Sequence, residues 1–297
     1  MSYYILNSYS LRKSTRVINS CGKHIEIKGV EFKYGQVQID KCKIYYDEYT
    51  KSYNKQKYYK AVTHRFYKNE FSWYLFTTVE VDETAKISNS RVGAIGIDFN
   101  VNFAQLGFVD RYGNPVDTIK LKYAMYGKTS NQIDALMGDL AKDICNLGLY
   151  YKVPVFIEDL ILEDVKKNID KGKKYNRMIN SFPYKKFRDF LEARAFKTGV
   201  QLSVVNPRYT SVIGQFKYMK KYGISSHSSA SIIIARRGLN FKLENIPFGY
   251  REYLKKNKVN IKINTDNYEI WMKLATLIKK KFSFNERIIK LYANDIN

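Results

Sequence analysis

Two acids stand where short apolar runs end. Asp98 closes Val92-Gly-Ala-Ile-Gly-Ile-Asp98, and Glu158 closes Val153-Pro-Val-Phe-Ile-Glu158. Apolar runs of this length, rich in Ile, Val and Phe and bounded by turn residues, have the pattern of a buried strand. A carboxylate where such a strand emerges is unfavourable unless a cation meets it. Two of them, from two strands, can converge on one divalent metal. Two-metal phosphodiester cleavage needs carboxylates from separate elements, holding ions about 3.5–4 Å apart. A third ligand belongs on a helix packed beside the first strand. His227, in Ser225-Ser-His227-Ser-Ser-Ala-Ser, opens such a helix among small residues that permit close approach to a sheet. Imidazole is softer than Mg²⁺ prefers, which tilts a mixed site toward Mn²⁺. The plainer readings are a strand-end turn at Asp98, a cap at Glu158-Asp159 and a helix-cap histidine at His227.

The charge balance points to the substrate. Fifty-one Lys and Arg against 28 acids give 297 residues a net charge of +23, with a pI near 9.6. The 26 Tyr and 17 Phe are interleaved with these cations. Cations neutralise phosphates and flat rings stack on bases, a mixture suited to RNA or single-stranded DNA. The bland alternative is a Lys- and Tyr-heavy solvated surface. Candidate contacts are Lys55, Lys57 and Lys60 early in the chain, then Lys166, Lys167, Lys173, Lys174 and Arg177 after Glu158. Lys185, Lys186, Arg188, Lys217, Lys220 and Lys221 could line a strand channel, with Arg236 and Arg237 on the last core helix.

Three cysteines without CxxC spacing indicate neither a disulfide framework nor a zinc site, so no zinc is expected. No apolar run reaches transmembrane length and no signal-peptide pattern opens the chain. The expected setting is soluble, reducing and cytoplasmic, with no membrane partner.

The elements that must position the acids can be read in order. Residues 1–90 alternate or run apolar at Lys23-His-Ile-Glu-Ile, Glu31-Phe-Lys-Tyr, Gln36-Val-Gln-Ile and Ser72-Trp-Tyr-Leu-Phe, a β-rich region. From Val92, a strand, a second at Phe103 and a third at Val116–Lys122 form an antiparallel meander. Ile133, Leu136, Met137, Leu140, Ile144 and Leu147 make a helical stripe. The Glu158 strand, a helix from about Pro183 to Lys197, a strand at Val200–Val205 and a helix from Ser226 to Arg237 follow. That order predicts an RNase H-like α/β domain with a mixed sheet over residues 91–241. Residues 242–297 read as a basic C-terminal extension, helical around Asn267 to Lys281.

Gly96-Ile-Asp98-Phe-Asn, Ile157-Glu158-Asp-Leu and Val205-Asn-Pro-Arg-Tyr-Thr-Ser211 resemble the RuvC-type core of TnpB, the transposon-encoded RNA-guided nucleases related to type V CRISPR effectors. Ser181-Phe-Pro-Tyr-Lys-Lys-Phe-Arg and Tyr222-Gly-Ile-Ser-Ser-His-Ser-Ser-Ala-Ser resemble TnpB-related accessory proteins more closely. The resemblance spans roughly residues 20–241. It implies a wedge-like nucleic-acid-binding region over 1–90 and a RuvC nuclease core. It also implies Mg²⁺ or Mn²⁺ as cofactor, DNA as target and a guide RNA as partner. Asp98 then matches the first RuvC carboxylate and Glu158 the second, while His227 stands where the family has its third acid. Only Val212 to Tyr222 fills the place of the family's zinc module, and the region before the core is shorter than usual. The competing expectation is a nuclease-inactive, nucleic-acid-binding regulator, or a truncated relic, that keeps the fold.

Overall fold

A computed structural model of the chain describes residues 3–10, 17–21, 24–27, 30–32, 35–40, 42, 62–80, 84–159, 184–241, 244–261, 265–283 and 286. They fall into two compact units, Met1–Glu83 and Thr84–Asn297.

In the first unit, β1 (Tyr3–Ser10), β5 (Trp73–Glu80) and β4 (Val62–Lys68) form an antiparallel sheet in the order β1-β5-β4. β2 (Val17–Cys21) and β3 (His24–Ile27) form a two-stranded ribbon. The expected strand at Gln36-Val-Gln-Ile is instead helical over residues 36–40. Gly35, at φ 79°, ends the preceding segment, and Gln36 and Asp40 pair at 2.8 Å with helical spacing. In a strand Val37 and Ile39 would share a face; here Val37 is exposed and Ile39 buried.

The second unit is built on β6 (Gly93–Phe99), β7 (Phe103–Asp110), β8 (Pro115–Lys122), β9 (Val155–Glu158) and β10 (Leu202–Val205), in the order β10-β9-β6-β7-β8. β7 runs antiparallel to both neighbours, while β9 is parallel to β6 and β10 to β9. This mixed sheet, with its three-strand meander and two added parallel strands, is an RNase H-like α/β fold.

Alternation along each strand decides which layer a side chain joins. Ile95, Ile97, Leu106, Phe108, Val155 and Ile157 pack with Met137 and Ile144 of α1 (Ser130–Tyr151) and with Phe187 and Leu191 of α2 (Tyr184–Thr198). The opposite parity, Ala94 and Phe156, joins Ile232, Ile233 and Ala235. Those residues lie beyond α3 (Thr210–Ile213), a π-helical turn (Gly214–Met219) and α4 (Lys220–Tyr222), on α5 (Ser226–Gly238). Asp98 and Glu158 share the parity of Gly96 and Phe156, so both side chains emerge on the α5 side.

Gly96 and Gly107 allow α5 to lie flat on the sheet. A Cβ at Gly96 would stand 2.1 Å from the Ser231 carbonyl oxygen, and one at Gly107 2.7 Å from the Ile232 nitrogen. The same core takes in Ile246, then Tyr250 and Leu254 of α6 (Phe248–Lys256) and Ile270, Trp271, Leu274 and Ile278 of α7 (Asn267–Lys281). The C-terminal helices are thus packed parts of this unit.

Candidate active site

Ile95 and Ile97 of β6 pair in parallel with Val155 and Ile157 of β9. One residue further, Asp98 and Glu158 stand at the carboxyl ends of the two strands. α5 starts over this end of the sheet, with Ser225 capping it by accepting from the Ser228 N–H at 3.0 Å. His227, in its first turn, places Nδ1 at 2.8 Å from Asp98 Oδ2. The Asp98 side chain is mostly buried (16% exposed) and that of His227 half exposed (47%), so the imidazole reaches solvent while its partner is fixed. The Asn100 amide donates to the same carboxylate oxygen at 3.1 Å.

The ring of His227 has a second support. Phe103 meets it edge-on, with centroids 5.0 Å apart at 84°, and Lys120 Nζ sits 3.9 Å from the Phe103 ring centroid. Tyr123 closes the floor by donating to the Asn100 carbonyl. Burial, with Asp98 adding to it, pushes the Tyr123 phenol up and keeps it a donor.

Glu158 is held differently. The buried hydroxyl of Thr210 donates to its Oε1, and the Tyr184 hydroxyl to its backbone carbonyl. Burial is the largest influence on the carboxyl and, with the negative charge of Asp98 adding, pushes it up to about 7 despite Thr210 and Arg237. A divalent cation would relieve the repulsion that Glu158 meets from Asp98, and hard carboxylate oxygens suit Mg²⁺ or Mn²⁺. Among the described residues, however, no group of three His, Cys, Asp or Glu closes into a metal-holding cluster. The fit to a cation therefore rests on Asp98 and Glu158, with His227 bonded to Asp98.

The expected basic contacts separate into three groups. Lys55, Lys57, Lys60, Lys166, Lys167, Lys173, Lys174 and Arg177 lie outside the described residues. Lys185 and Lys221 are exposed, and Lys220 is partly so. Lys186 pairs with Asp134 at 2.6 Å on the surface. Arg188 reaches Asp159, beside Glu158, at 3.1 Å and Glu192 at 2.7 Å.

Arg236, Arg237 and Lys217 depart from the expectation of phosphate contact. Arg237 is buried and spends its guanidinium on the Asn206 and Arg208 carbonyls. Arg236 and Lys217 clamp the buried carboxylate of Glu244 at 2.5 and 2.6 Å. The charges of Arg236 and Lys217 are met by Glu244 inside the fold, while Arg237 is held by neutral carbonyls. Thr210, Asn100, Phe103 and Glu244 are the residues that sequence reasoning passed over. Thr210 and Asn100 sat inside quoted motifs, but nothing in those motifs says which acid they grip.

Cys42 and Cys145 are buried, and burial pushes the Cys145 thiol up to about 11. Among the described residues no helix is long and apolar enough to cross a membrane.

No family model matches the chain. Two uncharacterized proteins of Aeropyrum pernix are each 31% identical to it over 155 residues, which is 48% of this chain. The match takes in 42% and 37% of those proteins, so the chain spans about two fifths of the length of the curated relatives it matches. Among solved structures it is similar to T. thermophilus RuvC in complex with a Holliday junction substrate, with a TM-score of 0.33 and 12% identity, over 48% of this chain and 88% of that one. It is also similar to a Cas12f1–sgRNA–target DNA complex, with a TM-score of 0.36 and 16% identity, over 60% and 56%. Likenesses at this level carry no argument about activity, substrate or partners. The chemistry rests on the residues described above.

Proposed function

We propose that the chain is a divalent-metal-dependent DNA endonuclease of the TnpB type, RNA-guided and encoded by a mobile element. One observation carries this reading. Asp98 and Glu158 end two adjacent parallel strands on the same side of the sheet, with His227 hydrogen-bonded to Asp98. Mg²⁺ or Mn²⁺ bound by Asp98 and Glu158 would polarise a phosphate oxygen and activate water. The chain's own residues do the rest. Asn100 and His227 hold one Asp98 oxygen, Thr210 holds one Glu158 oxygen, and the second nitrogen of His227 can take a proton or complete the ligand set. Lys185 and Lys221 present cations for the nucleic-acid backbone. In this reading the first unit serves as a wedge-like region holding nucleic acid.

A second reading is favoured by one observation, that no three-residue metal cluster forms among the described residues, and by the family resemblance, which implies that His227 stands where a third acid is usual. In it the fold persists as a nuclease-inactive, nucleic-acid-binding regulator. Cleavage of labelled single- and double-stranded DNA with Mg²⁺ or Mn²⁺ separates the two. The protein is purified with RNA from its own locus, beside Asp98→Ala and Glu158→Ala. Metal-dependent cutting lost in both variants supports the nuclease. Binding without cutting supports the regulator.

A further inference from the structure

β4 lies at the edge of its sheet, and every one of its residues is exposed. Antiparallel pairing sets Arg65 opposite Phe76 and Tyr67 opposite Tyr74, all four on one face. The Tyr67 ring lies 6.1 Å from that of Tyr74 and 6.5 Å from that of Phe76. The Arg65 guanidinium sits 5.1 Å above Phe76. On the other face, Lys68 lies 5.4 Å over Trp73. The exposed rings of Phe66, Tyr67 and Trp73 mark this hairpin as a binding surface. Rings with a cation on each face of the hairpin, Arg65 on one and Lys68 on the other, suit a polyanion with flat groups better than an aliphatic protein surface.

We propose that the Arg65–Tyr67–Tyr74–Phe76 face binds a single-stranded nucleic acid, with bases stacked on Tyr67 and Arg65 set against the backbone. This site belongs to the first unit and the acids Asp98 and Glu158 to the second; it rests on the reading of the first unit as nucleic-acid-holding, and its binding does not depend on cleavage. Stacking is tolerant of sequence, because every base has a flat face, whereas the salt dependence of binding counts phosphate contacts.

The test measures fluorescence anisotropy of labelled oligo-U and oligo-dT 12-mers with the full chain in EDTA, so that cutting plays no part. Tyr67 is half exposed (53%), so it can be changed without opening a core. Tyr67→Leu is expected to weaken binding about 5- to 100-fold with its salt slope unchanged. Tyr67→Phe stays within about twofold of the parent, since the ring is kept. Arg65→Gln lowers the slope by about one. The tighter of the two 12-mers identifies the strand as RNA or DNA. If Tyr67→Leu melts early, ultraviolet crosslinking of the parent decides: adducts within residues 62–80 support the site, and adducts confined elsewhere overturn it. Unchanged affinity in a folded Tyr67→Leu variant, or no binding of either 12-mer by the parent, overturns it too.

Discussion

His227 Nδ1 lies 2.8 Å from Asp98 Oδ2, across 129 residues of sequence. A carboxylate that accepts from one imidazole nitrogen fixes the ring and leaves the other nitrogen presented. With Phe103 packed edge-on against the ring, the imidazole has one orientation. It can then act as a base or as a ligand. If His227 works in cleavage by either route, His227→Ala lowers the rate about 10²- to 10⁴-fold. His227→Asp restores much of it with Mg²⁺ if the residue is a ligand, but not if it is the base. Single-turnover cleavage in Mg²⁺ and in Mn²⁺ reads both outcomes.

Glu158 makes stability depend on pH. Its carboxyl is pushed from the ordinary 4.5 up to about 7, chiefly by burial. Between those values the folded, metal-free protein keeps a proton that the unfolded chain has released. Raising the pH through this window therefore lowers stability, and the loss is complete above about 7. At 1.36 kcal/mol per tenfold change in proton affinity, the effect is about 3 kcal/mol. Glu158→Gln, neutral throughout, should be the more stable protein above pH 7 and lose that advantage below pH 4.5. Urea melts of both proteins in EDTA at pH 4.5, 6 and 8 measure the difference.

Thr210 favours the charged form of Glu158, against the larger effect of burial, because its hydroxyl donates to the carboxylate. Thr210→Val keeps the shape and removes the donor. The carboxyl then rises further, and the acid limb of the cleavage–pH profile moves to higher pH by about one unit or less. A profile that does not move would give Thr210 a packing role only.

Much of this site was legible. An apolar run that ends in an acid announces a strand end, and both Asp98 and Glu158 stand there. The strand order that made the two neighbours followed from a meander, a helix and two further strands, as in β6 to β10. The small residues around His227 foretold close packing of α5. What escaped depends on contacts distant in sequence. Arg236 and Arg237 look like surface cations until Glu244 and two backbone carbonyls are found against them. Thr210 reaches Glu158 from 52 residues away, directly after Tyr209 turns the chain in the left-handed region at φ 60°. Val37 and Ile39 alternate like strand residues, yet the Gln36–Asp40 pair and the Gly35 break favour a helical turn.

Two glycine substitutions should act in opposite directions. Gly96 has no room for a methyl group, since backbone of Ser231 and Ala235 lies within 2.1–2.3 Å of its would-be Cβ. Gly96→Ala should lift α5, lengthen the His227–Asp98 contact and destabilise by at least about 1–3 kcal/mol. Gly138, inside α1, would meet only the Phe190 ring at an ordinary 3.9 Å. Gly138→Ala should stabilise by about 0.5–1 kcal/mol through helix propensity. Denaturant midpoints of the two variants test the pair, and cleavage should fall in the first alone.

Glu244 ties the C-terminal helices to the core. Its carboxylate accepts from Arg236, Lys217 and the Tyr218 hydroxyl, while its backbone carbonyl accepts from the Trp271 indole at 2.9 Å. Burial alone would raise this acid, but the hydrogen bonds from Arg236 and Lys217 outweigh it and hold the carboxyl below its usual range. Stability from this cluster is therefore present above the unfolded pKa and lost as pH falls through the folded one. Glu244→Ala leaves two cations beside a buried gap and should destabilise by about 3–5 kcal/mol. The loss should also free the chain beyond residue 244 to protease, so limited proteolysis ought to cut there before it cuts elsewhere in the second unit. Glu244→Gln, which keeps the shape but not the charge, should fall between the two. If Glu244→Ala melts with the parent and resists protease equally, Trp271 and its apolar neighbours hold these helices without the ion cluster.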